Sequence, residues 1–209
     1  MRTIFTVDWK NPGRRILLAS KSPRRSELLK LMGFSFETTA PDIDNEDSFL
    51  DKNDIVGSMQ RLALAKTESA SISNPDALVL GADTIVFHCG SILCKPRSEN
   101  EARAMLKRLN GSRHEVYSAV ALECKEEGFF ESAIEKTLVY FRNIEENEIE
   151  SYIRSGEYAD KAGAYAIQGQ AMIFVDKIDG CFYNVVGLPV VKTISLFKDY
   201  VTRKDQADV

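Results

Sequence analysis

Regular patterning begins at Ile16-Leu17-Leu18-Ala19, an unbroken apolar run of the kind a sheet buries on both faces. Polar Ser20-Lys21-Ser22-Pro23-Arg24-Arg25 follows, and then Leu28, Leu29 and Met32 recur at helical spacing up to Gly33. Ser22 before Pro23 is the pair expected at an N-cap and first helical position. A doubly basic segment is thus predicted between a strand end and a helix start. After Asp54, the spacing of Ile55, Met59, Leu62 and Lys66, with Ala63 and Ala70 beside them, predicts a second helix. Leu78 through Phe87 reads as one long strand, or two joined at Gly81, and Gly90-Ser91 as a hairpin turn into Ile92-Leu93-Cys94.

Further on, Ser98 and Glu101 form a capping-box pattern before Ala102, Met105, Leu106 and Leu109, an amphipathic helix ending near Gly111. Val116–Leu122 and Ile134–Phe141 read as strands separated by the turn at Glu126-Glu127-Gly128. Ile149, Tyr152 and Ile153 predict a helix that stops at Gly156. Met172–Ile178 and Cys181–Val186 read as a hairpin about Asp179-Gly180. Gly187-Leu188-Pro189 breaks the chain, and Val190, Ile194, Phe197 and Val201 trace a final helix with a polar end expected to fray after Arg203. The pattern predicts a mixed α/β fold with hairpins: an N-terminal extension 1–14, one domain 15–201, and a polar tail 202–209.

Composition narrows the class. A chain of 209 residues, 44% hydrophobic and 28% charged, can bury a core without staples. A net charge of -4 argues against a nucleic-acid polymer as partner. No segment approaches the ~18 apolar residues of a membrane span, and residues 1–14 lack the apolar region of a secretory signal. Cys89, Cys94, Cys124 and Cys181 form no regular framework, which points to reduced thiols and a cytoplasmic protein. His88, Cys89 and Cys94 are close in sequence but fall short of a compact four-ligand zinc set.

Several residues stand out against this background. Ser20 through Arg25 place fork-shaped donors at a helix N-terminus, a natural anion site, although a capped surface helix would look the same. Asp83 interrupts an apolar strand, where a carboxylate is costly unless paired or bound to metal; it could hold a divalent cation and take a proton from water. Lys66 falls on the apolar stripe of its helix, and Lys95 is pinned before Pro96. Asp160 through Gly169 surround Gln168, an amide able to read a base edge, with small residues. Asp42, Asp44, Glu46 and Asp47 are either metal ligands or a solvated face, and His114 suits a structural hydrogen bond. No Walker A loop, GxGxxG, HExxH or nucleophile elbow is present.

Taken in order, LLASKSPRRSELL, ALAK, LGADTIV, CKPRSENEARAML, LNGSRHEVYSAVAL, DKAGAYAIQG and VVGLP resemble the Maf family of nucleoside triphosphate pyrophosphatases, from about Ile16 to Tyr200. The resemblance implies the mixed-sheet, two-lobed fold shared with inosine triphosphate pyrophosphatases, with a central cleft, and a homodimer. It implies Asp83 as catalytic proton acceptor, with Lys66 and Lys95 as catalytic cations. Ser20, Arg24 and Arg25 match groups around the triphosphate. Arg24, Thr84 and Gln168 match the positions that separate substrate classes, and their identities resemble the branch acting on dTTP and UTP. A divalent cation, Mg²⁺ or Mn²⁺, is implied with Asp83 as a ligand. Family members often carry glutamate where this chain has Asn45, and Glu46 is the substitute at hand. The alternatives are a nucleotide-binding regulator of cell division with little turnover, and a pyrophosphatase for purine or inosine nucleotides.

Overall fold

The computed structural model describes residues 11–207. Seven strands form one mixed sheet: β1 (Ile16–Ala19), β2 (Glu37–Thr39), β3 (Leu78–His88), β4 (Ser91–Leu93), β5 (Arg113–Cys124), β6 (Phe129–Phe141) and β7 (Val175–Asp179). Their order is β2-β1-β3-β5-β6-β7, with β4 also on β3. β1 runs parallel to β2 and β3, and every other pairing is antiparallel. The helices are α1 (Pro23–Leu31), α2 (Ile55–Ser71), α3 (Glu99–Leu109), α4 (Glu146–Ser155), α5 (Phe182–Val186) and α6 (Val190–Ala207). The mixed α/β class expected from the sequence is thus the one observed.

Alternation along β3 sets the two faces of the sheet. Ile85 packs with Ala119, Ala121, Met59 and Ala63 beneath α2. Ala82 and Val86 face the other way, into the main core with Val116, Val120 and side chains of α1, α3, α4 and α6. Gly81 lets α2 lie close: a Cβ there would sit 2.8 Å from the Ala63 carbonyl oxygen and from Thr67 Cγ2. That close approach is the use a glycine has inside a strand.

The edges of β3 are unequal. β5 pairs with it without interruption from Val79 to Phe87. On the opposite edge β1 pairs only as far as Gly81, and β4 begins only at Val86. Residues 82–85 therefore border a gap. β1 runs into it from one side and β4, antiparallel, from the other.

The structure corrects the expected hairpin. Val175–Asp179 is a strand, paired with β6, but its first half is a short 3-10 turn over Gln170–Phe174, and Cys181–Val186 folds as α5 instead of a returning strand. The run CFYNVV has strand propensity, and tertiary bonds override it. Asn184, fully buried, donates through Nδ2 to the Val116 carbonyl (3.0 Å) and to Thr137 Oγ1 (2.9 Å), while Thr137 Oγ1 also accepts from the Cys181 N–H (3.0 Å). These bonds turn the chain back over β5 and β6. Three further differences are smaller. β5 and β6 extend beyond their apolar stretches, β2 carries no apolar pattern, and α6 continues through Ala207, with Arg203 over the Phe129 ring and Lys204 Nζ donating to the Pro12 carbonyl.

Candidate active site

The gap in the sheet opens into a cleft of about 450 Å³, lined among others by Ser20, Arg24, Arg25, Glu46, Lys66, Asp83, Thr84, Lys95 and Gln168. The residues that the family resemblance implies for catalysis, substrate and metal therefore meet in one place. Asp83 and Thr84 are neighbours on a strand and so point to opposite faces. Only the break in the sheet edge lets both reach the same cavity.

Asp83 belongs to the α2 face. Its Oδ1 accepts from Lys66 Nζ at 2.5 Å, and Glu46 Oε2 lies 3.0 Å from the same ammonium. Lys66 is 3% exposed and Asp83 9%. A buried ammonium on an apolar stripe requires such partners, because an unpaired charge there is costly. Among the described residues the Asp83 carboxylate makes no other hydrogen bond, which leaves Oδ2 without a partner in a residue that lines the cleft. Asp42 and Asp44 are exposed and absent from the lining, and Asp47 pairs with Arg97 at 3.5 Å, so of that acidic stretch only Glu46 enters the site.

Thr84 belongs to the other face, which Arg25 organises. The guanidinium donates to the Gly187 carbonyl (2.9 Å), to Thr84 Oγ1 (3.1 Å) and to Ser20 Oγ (3.2 Å). All three acceptors are neutral, so its charge remains available. Burial lowers the pKa of Arg25, and Asp83 opposes that shift; a guanidinium starts so high that it stays charged. Burial also lowers Arg24, opposed by Asp160 and Glu27. The side chains of Arg24, Lys95 and Gln168 have no hydrogen bond or ion pair to any described residue, and Gln168 and Lys95 are exposed.

The start of α1 differs from the sequence expectation in a useful way. Ser22 occupies the N-cap position ahead of Pro23, but its side chain makes no capping bond. The first-turn N–H groups are left without a side-chain acceptor, at the end of the helix that favours anions. Ser20 Oγ accepts from the Ser22 N–H at 3.2 Å and so fixes the turn into the helix.

Three polar cleft residues were not assigned a role from the sequence. Asp160, Lys161 and Tyr165 sit in the small-residue segment around Gln168, and that setting was the only signal for them. Gly163 (φ +68°) presses this segment onto Val86 and bonds to the Cys94 carbonyl at 3.2 Å. Lys161 Nζ donates to the Ala159 carbonyl at 3.0 Å, and its pKa is lowered by burial and then by Arg24. His114 lies in the core, not the cleft: Nε2 is 2.8 Å from Tyr165 Oη, and the ring meets Phe141 edge-on.

The lining counts six cations (Lys21, Arg24, Arg25, Lys66, Lys95, Lys161) against three carboxylates (Glu46, Asp83, Asp160). That excess suits a polyanion. Among the described residues no group of three or more His, Cys, Asp or Glu converges as a metal site. Asp83 and Glu46, however, already converge on one cation. A pair of carboxylates completed by substrate phosphate oxygens is a donor set that Mg²⁺ accepts, so these residues fit a cation that arrives with its ligand.

Fold and cleft together define a mixed-sheet α/β protein with an anion-receiving site built at a break in its sheet. The family model for Maf-like proteins matches residues 15–200, and the chain belongs to that family. Relatives include the dTTP/UTP pyrophosphatases of Bacillus cereus (strain B4264), 44% identical, and Bacillus cereus (strain G9842), 43% identical. The dTTP/UTP pyrophosphatase of Bacillus thuringiensis subsp. konkukian (strain 97-27) is 44% identical. Each comparison spans 188 residues, 90% of this chain and 96% of the relative. No described helix is long and apolar enough to cross a membrane.

Proposed function

We propose that this chain is a nucleoside triphosphate pyrophosphatase that hydrolyses dTTP and UTP to the monophosphate and pyrophosphate. The observation that carries the reading is Asp83, a nearly buried carboxylate with one oxygen held by Lys66 and the other open to a cation-rimmed cleft. Water attacks the α-phosphorus, Asp83 Oδ2 takes its proton, and the bond to the β-phosphate breaks to release pyrophosphate. Arg24, Arg25 and Lys95 neutralise the phosphates and the leaving group, and the open first turn of α1 adds backbone donors. Lys66 fixes the orientation of Asp83, and Gln168 reads the base. Asp83 and Glu46 would hold Mg²⁺ or Mn²⁺, which supplies charge compensation and a more acidic water.

The same reading assigns the catalytic domain to 15–201, between an extension at 1–14 and a tail at 202–209. It assigns a homodimer and a cytoplasmic site of action. The decisive experiment is a pyrophosphate-release screen over canonical and modified triphosphates with Mg²⁺ and Mn²⁺, before and after chelation. Monophosphate and pyrophosphate from dTTP and UTP are expected. Release of orthophosphate and a diphosphate would place the attack at the γ-phosphorus and refute the reading.

A further inference from the structure

We infer that Ser118 and Asn184 are positioning residues that aim Arg25 at the phosphates through Thr84 and Gly187. The inference rests on the proposed pyrophosphatase reading and adds to it two residues that make no contact with the cleft.

Each hydroxyl has a single proton, and that fixes the direction of the bonds behind Arg25. Arg25 has only donors, so its bond to Thr84 Oγ1 (3.1 Å) uses a lone pair of the hydroxyl. Thr84 and Ser118 face one another across β3 and β5, with their hydroxyl oxygens 2.8 Å apart. Ser118 is fully buried and donates its one proton to the Asn184 carbonyl at 3.0 Å. It therefore has none for Thr84, and Thr84 donates to Ser118, the nearer of its two acceptors at 2.8 Å against 3.3 Å to the Gly187 carbonyl. The chain runs one way: Arg25 to Thr84, Thr84 to Ser118, Ser118 to the Asn184 carbonyl. Its direction is set by a group that only donates at one end and one that only accepts at the other.

The second arm passes through α5. That helix has five residues and buries only Asn184 and Val186, so apolar packing alone holds it weakly. The Asn184 side chain ties it to β5 and β6 by the two Nδ2 bonds. The Gly187 N–H closes back on the Asn184 carbonyl at 3.0 Å, and the Gly187 carbonyl receives Arg25 Nε. Gly187 holds φ +123°, a conformation that side chains rarely adopt, which lets the carbonyl turn toward Arg25. Both arms thus converge on Asn184, and both end on the same guanidinium. With Nε and Nη2 so anchored, the face of Arg25 toward the cleft is preset, and less ordering remains when phosphate arrives.

The test is calorimetric binding of pyrophosphate, with steady-state kinetics on UTP and CTP, for wild type, Ser118→Ala, Thr84→Val and Thr84→Ser. Ser118→Ala and Thr84→Val, which cut the chain at its end and its middle, should each weaken pyrophosphate binding about tenfold, the usual scale for a hydrogen bond serving a charged group. Ser118→Ala should lower kcat/KM on UTP by a similar factor while keeping the UTP-to-CTP ratio within about twofold, since the chain serves the phosphates and not the base. Thr84→Ser should restore pyrophosphate binding. Wild-type pyrophosphate affinity in folded Ser118→Ala and Thr84→Val would overturn the inference. If wild type binds pyrophosphate and hydrolyses no triphosphate, the pyrophosphatase reading fails while the binding comparison still decides the role of Ser118.

Discussion

Replacing Lys66 by Met removes the ammonium that two carboxylates share while keeping most of the apolar stem. Lys66 is 4% exposed at its side chain, Asp83 12% and Glu46 33%. Glu46 can turn back toward water, so the orphaned charge is chiefly Asp83. Removing one partner of a buried pair costs ~3–5 kcal/mol, and rehydration of Glu46 puts this case near the lower end. For a domain of this size each 1 kcal/mol moves Tm by about 2–4 °C, giving a fall of roughly 6–12 °C. Scanning calorimetry measures it directly.

A coupled measurement separates this cause from ordinary loss of packing. If the cost is an unpaired carboxylate, Asp83→Asn added to Lys66→Met should recover most of the lost stability, although Asp83→Asn alone also breaks the pair. Added Mn²⁺ should raise the Tm of Lys66→Met more than that of wild type, because the two carboxylates are then free for it. A Tm within about 2 °C of wild type in Lys66→Met, or no recovery in the double variant, would falsify the claim that Lys66 is held by charge.

Four further outcomes are expected. Asp83→Asn should fold and lose roughly 10²–10⁴ in turnover, the range for a lost general base, and near-normal rates of pyrophosphate release would remove Asp83 from that role. Wild type should favour dTTP and UTP over CTP, ATP and GTP about tenfold or more, since a mismatched amide at Gln168 costs ~1–3 kcal/mol; Gln168→Glu with unchanged base preference would sink that assignment. Gly81→Ala places a methyl 2.8 Å from the Ala63 carbonyl oxygen and should cost ~1–3 kcal/mol by denaturant titration, with reduced turnover as α2 carries Lys66 outward; unchanged stability argues that the helix yields freely. His114, buried and with its pKa lowered to about 3 by desolvation, stays neutral in the fold while the unfolded chain binds its proton below pH ~6.5, so stability should fall with acidification from there toward pH 3, by ~2 kcal/mol at pH 5. His114→Leu should flatten that slope, and an identical pH profile in the variant would assign the acid sensitivity elsewhere.

Much of this was legible in the sequence because the signals were local. The strand–polar segment–helix run at Ile16–Met32 carries its own boundaries, and Asp83 announces itself as a carboxylate in an apolar strand. Lys66 on its helical stripe was as clear, but nothing in the spacing joins it to Asp83, because α2 and β3 come together only in the tertiary packing, around Ile85 and at the close approach of Gly81. CFYNVV predicts a strand where α5 forms, because the bonds that overrule its strand propensity come from Val116 and Thr137, far away in sequence. The strand pattern gives no sign of Asn184 as an anchor. Arg24 and Arg25 were equivalent as sequence, and the fold separates them. Arg25 is anchored by three neutral acceptors, and Arg24 is left without a described partner.

The break along β3 explains why these residue types must come from separate elements. A triphosphate and its leaving group call for several cations, while proton transfer calls for a carboxylate that those cations do not bury in ion pairs. On a continuous sheet Asp83 and Thr84 would serve opposite faces, and the base could not share a cavity with Arg25. Because β1 ends opposite Gly81 and β4 ends opposite Val86, the two strands deliver Ser20–Arg25 from one side of the gap and Lys95 from the other. The acidic pair stays on the α2 face, satisfied by Lys66 alone. Arg25 meanwhile is bound by neutral oxygens and keeps its charge for the ligand. The division of the site between two faces thus confines the pairing of Asp83 and Glu46 to Lys66, and the missing stretch of ladder lets both faces line one cavity.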